Sequence, residues 1–164
     1  MTPDADWEGR VARLWTELDD DTDEDEFVRR IEALAGELPA GDPVADFERA
    51  CAQDSTGHSD RAVPLYRTAL ERGLSGIRRR RAVIQLASSL RNVSRSEESV
   101  ALLEAERAAG SDELDDAVSA VLALALTDVG REREAVSVAV GALAPHLPRY
   151  QRSMANYARA LLEG

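Results

Sequence analysis

The residues of this chain that could do chemistry are few, and the first of them are carboxylates. Asp19 to Glu26 reads DDDTDEDE, seven acids in eight residues. Such a run invites a calcium loop, with Asp21, Asp23 and Asp25 at the first three ligand positions and Glu32 at the twelfth. The turn of that loop demands glycine at its sixth position, where this sequence has Glu26. Phe27 to Ile31 also pattern as helix rather than loop. The run is therefore read as a solvated linker whose last acids favour the next helix's N-terminus through the macrodipole.

Thiol and imidazole come next. Cys51 and His58 lie seven residues apart, across an expected helix end and turn. A nucleophile needs a base within hydrogen-bond reach and a group to orient that base, and nothing here supplies both. Cys51 is read as a small core residue. His146 sits between Pro145 and Leu147, in an expected loop. Two histidines and one cysteine without ligand spacing do not make a zinc site, and no glycine-rich phosphate loop is present. The expectation is a non-enzyme with no catalytic residue, metal or cofactor.

Positive charge is densest in IRRRRAVIQLASSLRN, Ile77 to Asn92, within a chain of formal net charge −11. Four arginines at a helix start face an unfavourable dipole, so something should compensate. A run this short is not the basic footprint of a nucleic-acid binder, and no nucleic-acid partner is expected. At about 100° per residue, Arg78, Arg81, Gln85, Ser88 and Asn92 share a sector of about 80°, opposite Val83, Leu86, Leu90 and Val93. One side of this helix is a continuous polar stripe.

The elements that position these groups follow from composition and period. The 164 residues suit one domain or one short repeat array. Hydrophobic residues make up 44% and aromatics 4%, so the core must be Ala, Leu and Val, which with little strand-period alternation predicts an all-α fold. All 20 basic residues are arginine, a compositional bias rather than a functional signal. One cysteine forms no internal disulfide, and Met1 to Asp6 carries no signal-peptide pattern; both fit a cytoplasmic location. The longest apolar stretch, Ala117–Leu126, is about half the roughly 20 residues of a membrane span and is read as a helix buried on most sides. No membrane partner is expected. Residues 1–38 hold 13 acids and four arginines, a net of −9, whereas residues 39–164 hold 18 acids and 16 arginines, a net of −2.

Three segments stack on one another: GHSDRAVPLYRTALERGL, SRSEESVALLEAERAAG and GREREAVSVAVGALAPHL. Each opens on a turn residue, Gly57, Ser94 or Gly130, and then reaches a small residue, Ala62, Ser99 or Ala135, at spacings of 37 and 36. Another helical segment precedes each: Pro43–Ser55, Ile77–Asn92 and Asp112–Asp128. A helix pair at this period is the signature of an α-solenoid.

These stretches resemble tetratricopeptide repeats, with FERACAQDSTGHSDRAVPLYRTAL the best match. The family's small residue in the first helix falls on Ala50, Ala87 and Ala123; its turn glycine falls on Gly57 and Gly130, with Ser94 standing in. The bulky residue of the second helix falls on Tyr66 and Leu103, but on Ala139 in the last repeat. The family's early Trp is absent and the period is slightly long, so the chain is similar to a divergent bacterial branch, the group-five tetratricopeptide domain proteins. The resemblance covers Asp42 to Gly164, three repeats plus PRYQRSMANYARALLEG as a capping helix. Residues 1–38 form a degenerate acidic helix pair, with Trp7, Val11, Leu14 and Leu18, then Phe27, Ile31 and Leu34, at helical spacing; Pro39 to Pro43 breaks the chain between the two parts. Nine helices are expected.

What the resemblance implies is a right-handed superhelix whose first helices line a concave groove. The groove candidates are Arg78, Arg81, Gln85, Ser88, Asn92, Asp128 and Tyr157. Two roles remain open for the arginine block. Successive first helices start acidic (Asp42, Asp46, Glu48), basic (Arg78 to Arg81), acidic (Asp112 to Asp116) and basic (Arg149, Arg152), which would pair as an electrostatic zipper and fix register. Arg81 in particular suits an anionic group on a bound segment. The leading expectation is a non-catalytic module that binds a peptide or protein segment; the alternative is a self-associating, homodimeric scaffold.

Overall fold

The computed structural model describes residues 3–19 and 21–163. Asp20 of the acidic run, Met1 and Thr2 of the N-terminal segment and Gly164 of the last helical stretch lie outside them. Among the described residues there are nine α-helices and no strand: α1 (Ala5–Thr16), α2 (Glu24–Ala35), α3 (Pro43–Ser55), α4 (Ser59–Glu71), α5 (Gly76–Asn92), α6 (Ser96–Ala109), α7 (Asp115–Asp128), α8 (Glu132–Leu143) and α9 (Gln151–Ala160), with a short 3-10 helix (Ala144–His146) before the last. The chain divides into two compact units, residues 1–89 and 90–164. The division falls inside α5.

Side-chain caps start the early helices. The Asp4 and Asp23 carboxylates accept from Trp7 N and Glu26 N, and Asp42 caps Val44 N ahead of Pro43. Asp23 is thus a cap, and Glu32 is held by Arg49 at 2.8 Å.

The repeat is visible in its turns. His58 N, Arg95 N and Arg131 N donate to Gln53 O, Leu90 O and Leu126 O, each at 2.8 Å. Such a closure needs a left-handed residue, supplied by Gly57 (φ +78°), Ser94 (φ +60°) and Gly130 (φ +76°). Ser94 adopts the glycine conformation that its place in the repeat demands. Small residues sit where helices crowd: Ala50 and Ala87 are 0% exposed and Ala123 8%, while Ala62, Ser99 and Ala135 are also buried.

One expected bound moves. α7 begins at Asp115, not Asp112, because Asp112 and Asp115 bond to local backbone: Leu114 N donates to Asp112 Oδ1 at 2.8 Å and Asp112 N to Asp115 Oδ1 at 3.1 Å. α7 buries Val118, Leu122, Ala123, Ala125 and Leu126, yet Leu124 is exposed. Among the described residues no helix is long and apolar enough to cross a membrane.

In the first unit, Leu14, Phe27, Ile31 and Ala52 form one cluster, which joins the N-terminal pair to α3. The Trp15 and Phe27 rings meet edge to face at 5.0 Å, and Phe47 lies 6.4 Å from Tyr66. The second unit is filled by Val100, Leu103, Val118, Leu122, Ala125 and Leu126, without a buried aromatic.

Candidate functional site

The candidate site is built on α5, whose least buried line is the polar stripe. Arg81 and Asn92 are exposed, and Arg78, Gln85 and Ser88 are half-buried. The buried positions of α5 include Arg80, Val83, Leu86, Ala87 and Leu90.

Within the first unit the stripe residues differ in what holds them. Arg78 grips Glu8 of α1 with both terminal guanidinium nitrogens, at 3.0 and 2.5 Å. Its Nε lies 3.6 Å from Glu48 of α3. Glu48 is 4% exposed and accepts from the Trp15 indole at 2.9 Å. Burial pushes the Glu48 carboxyl above its ordinary value, against the lowering pull of Trp15, Arg78 and Arg81. Arg78 is thereby committed to a clamp of α1, α3 and α5.

Arg81, one turn on, is exposed, and its guanidinium lies 5.2 Å from the centre of the buried Phe47 ring. What it touches is a ring, while its charge also acts on the Glu48 carboxyl. Next along the line, Gln85 accepts from Cys51 Sγ at 3.4 Å, which leaves its amide NH₂ as the group it can offer. Ser88 follows.

The remaining candidates belong to the second unit. Asn92 ends α5. Asp128 of α7 is gripped by Arg91 Nε at 2.7 Å and accepts from Ser96 Oγ at 3.3 Å; the Arg91 bond holds its carboxyl below the ordinary range. Tyr157 of α9 is 66% exposed. Arg78, Arg81, Gln85 and Ser88 are therefore brought into one line, while Asp128 is already engaged.

Burial pushes the Cys51 thiol up to about 12, and Cys51 is 2% exposed. The His58 ring faces Thr56, with Nδ1 3.2 Å from its hydroxyl, and His146 Nε2 lies 2.8 Å from Asp116. Among the described residues no group of three or more His, Cys, Asp or Glu could hold a metal ion.

Sequence reasoning missed Glu8, Trp15 and the clamp they complete. Glu48 stands 37 residues before Gln85, the repeat spacing, so it could have been placed on the same line. It also missed Asp54, which accepts from Ser89 Oγ at 2.7 Å, Ser59 Oγ at 3.4 Å and the Tyr66 hydroxyl at 3.5 Å. That carboxylate ties α3, α4 and α5 behind the line.

No curated protein matches the chain, and no solved structure does. A family model described as Tetratrico peptide repeat matches residues 43–161. The match runs from the first residue of α3 to just past α9 and takes in all three equivalent turns, so the chain belongs to the tetratricopeptide repeat family.

Proposed function

We propose that the chain is a non-catalytic module that binds a peptide or protein segment along α5, with Arg81, Gln85 and Ser88 as its contacts. Tetratricopeptide repeats are in general protein-interaction modules, which sets the class. The observation that carries the finer reading is the contrast between two arginines one turn apart. Arg78 is spent on Glu8 and Glu48, whereas Arg81 is exposed and seated on Phe47. A preoriented guanidinium can take a carboxylate bidentately, and the amide and hydroxyl beyond it can bond an extended backbone. The ligand is thus a segment with a carboxylate, used in the cytoplasm.

The test is a screen of carboxylate-bearing peptides against the chain, repeated with Arg81→Ala. Affinity for the captured peptides should fall by about 1–3 kcal/mol, or roughly 5- to 150-fold, with the urea midpoint unchanged. Equal capture by Arg81→Ala would end the reading.

A further inference from the structure

Glu48 is a buried acid whose neighbours leave it short of positive charge. It is 4% exposed. Its Oε2 accepts from the Trp15 indole, a neutral donor, at 2.9 Å. Its Oε1 lies 3.6 Å from Arg78 Nε, beyond hydrogen-bond length, and that nitrogen is buried without a hydrogen-bond partner. Both terminal nitrogens of Arg78 are already on Glu8. A carboxylate so placed meets a desolvation cost that one bond from a neutral donor does not offset.

The groups that act on Glu48 come from three helices. From α1, Glu8 opposes its ionisation; from α5, Arg78 and Arg81 favour it. Cys51, three residues on along α3 itself, is a buried thiol that feels the Glu48 charge. With Glu8 balancing Arg78, the cation left to balance Glu48 is Arg81. That guanidinium is also the one offered to a ligand's carboxylate, so an internal and an external acid compete for it. Burial already pushes the Glu48 carboxyl above its ordinary value. A carboxylate bound at Arg81 cancels the pull of that charge and adds a like charge nearby, and both effects act in the same upward direction.

We propose that the α5 line takes up a carboxylate and a proton together: as the segment's carboxylate settles on Arg81, Glu48 takes a proton from solvent and becomes a neutral acid. This rests on the Arg81 reading above and adds the regulation of that contact. By linkage, a proton taken up on binding makes binding tighter as pH falls. Affinity is highest where Glu48 is already neutral, and it declines as pH rises through the raised Glu48 value, above 4.5. An exposed peptide acid, which ionises near about 4, stays charged through that window. The segment is therefore held toward acid pH and released toward alkaline pH.

The experiment is calorimetric titration of the full chain with a peptide captured through Arg81 in the screen above, from about pH 5.5 to about pH 8. Wild-type affinity should fall about tenfold across that range, the size of an ordinary charge coupling, with protons taken up from the buffer on binding. Glu48→Gln, neutral at every pH, should bind as tightly at the alkaline end as wild type does at the acid end, with a flat profile. A second measurement needs neither the peptide nor that variant. Arg81→Gln, at an exposed position, removes the charge that a bound carboxylate neutralises, so carboxyl-carbon NMR of the free chain should show the Glu48 titration moved upward. A flat wild-type profile, a slope that survives in Glu48→Gln, or a Glu48 titration indifferent to Arg81→Gln would each overturn the inference and leave Arg81-dependent capture standing. Capture that never depends on Arg81 would bring down the binding reading itself, and this inference with it.

Discussion

The two units apply one repeat plan with different materials. The first holds Trp7, Phe27, Phe47 and Tyr66 at 2% exposure or less, and Trp15 is partly buried beside them. The second has two aromatics, Tyr150 and Tyr157, at 73% and 66% exposure. A buried aromatic removes about 150–250 Å² from water, so one ring does the work of several alanines. The first unit also ties its helices by buried polar groups, Glu48 with Trp15 and Arg78, and Asp54 with its three hydroxyls. The second packs Val, Leu and Ala, and its buried polar groups are Ser99, Glu106 and Ser137, the last donating to Ala158 O at 2.7 Å. The repeat therefore specifies where helices turn and where they crowd, while the residues between those points decide whether a unit closes its own surface.

The sharpest attempt to break that contrast is truncation. Phe47→Ala should cost about 3–5 kcal/mol by urea denaturation, and Leu122→Ala, at an equally buried site of the second unit, about 2–5 kcal/mol with the smaller loss of the two. Equal or reversed losses would mean that the rings do not anchor the first unit. Next in size is overpacking: Ala123→Leu should cost about 1–3 kcal/mol, and an unchanged urea midpoint would show that α7 has room where the repeat needs a small residue.

Turns should behave alike in both units. Ser94→Gly relieves a left-handed serine and should stabilise by about 1 kcal/mol, visible as a higher thermal midpoint; a lower midpoint would contradict it. The smallest effect separates the units by pH. The raised carboxyl of Glu48 means that, above its ordinary value of 4.5, the folded state binds more protons than the unfolded. Its contribution to stability then declines as pH rises through the raised value, and Glu48→Gln should flatten that part of the profile. An unaltered slope would show that Glu48 titrates as an ordinary surface acid.

Much of the fold was legible because it is periodic. Gly57, Ser94 and Gly130 announce the turns, and Ala50, Ala87 and Ala123 the crowded contacts, since backbone conformation and close approach each admit few residue types. The polar line of α5 was legible for the same reason, as helical angle follows from position alone. The division of labour along it was not. Nothing local tells that Arg78 meets Glu8, and nothing local gives Arg81 a ring. Spacing has its own limit: Ala158, the buried residue of α9, follows Ala123 by 35 residues where earlier spacings are 37 and 36, and a drift of one residue turns a helix by about 100°.

The clamp and the turns also differ in time. Each of the three turn bonds closes a six-residue segment, so every helical hairpin can form by itself, in the fast regime of local contacts. The Glu8–Arg78 bridge spans 70 residues and must wait until α1, α3 and α5 are already side by side. Its carboxylate and guanidinium can meet only once those helices have docked, so the bridge adds to the lifetime of the docked N-terminal pair rather than to the speed of its docking.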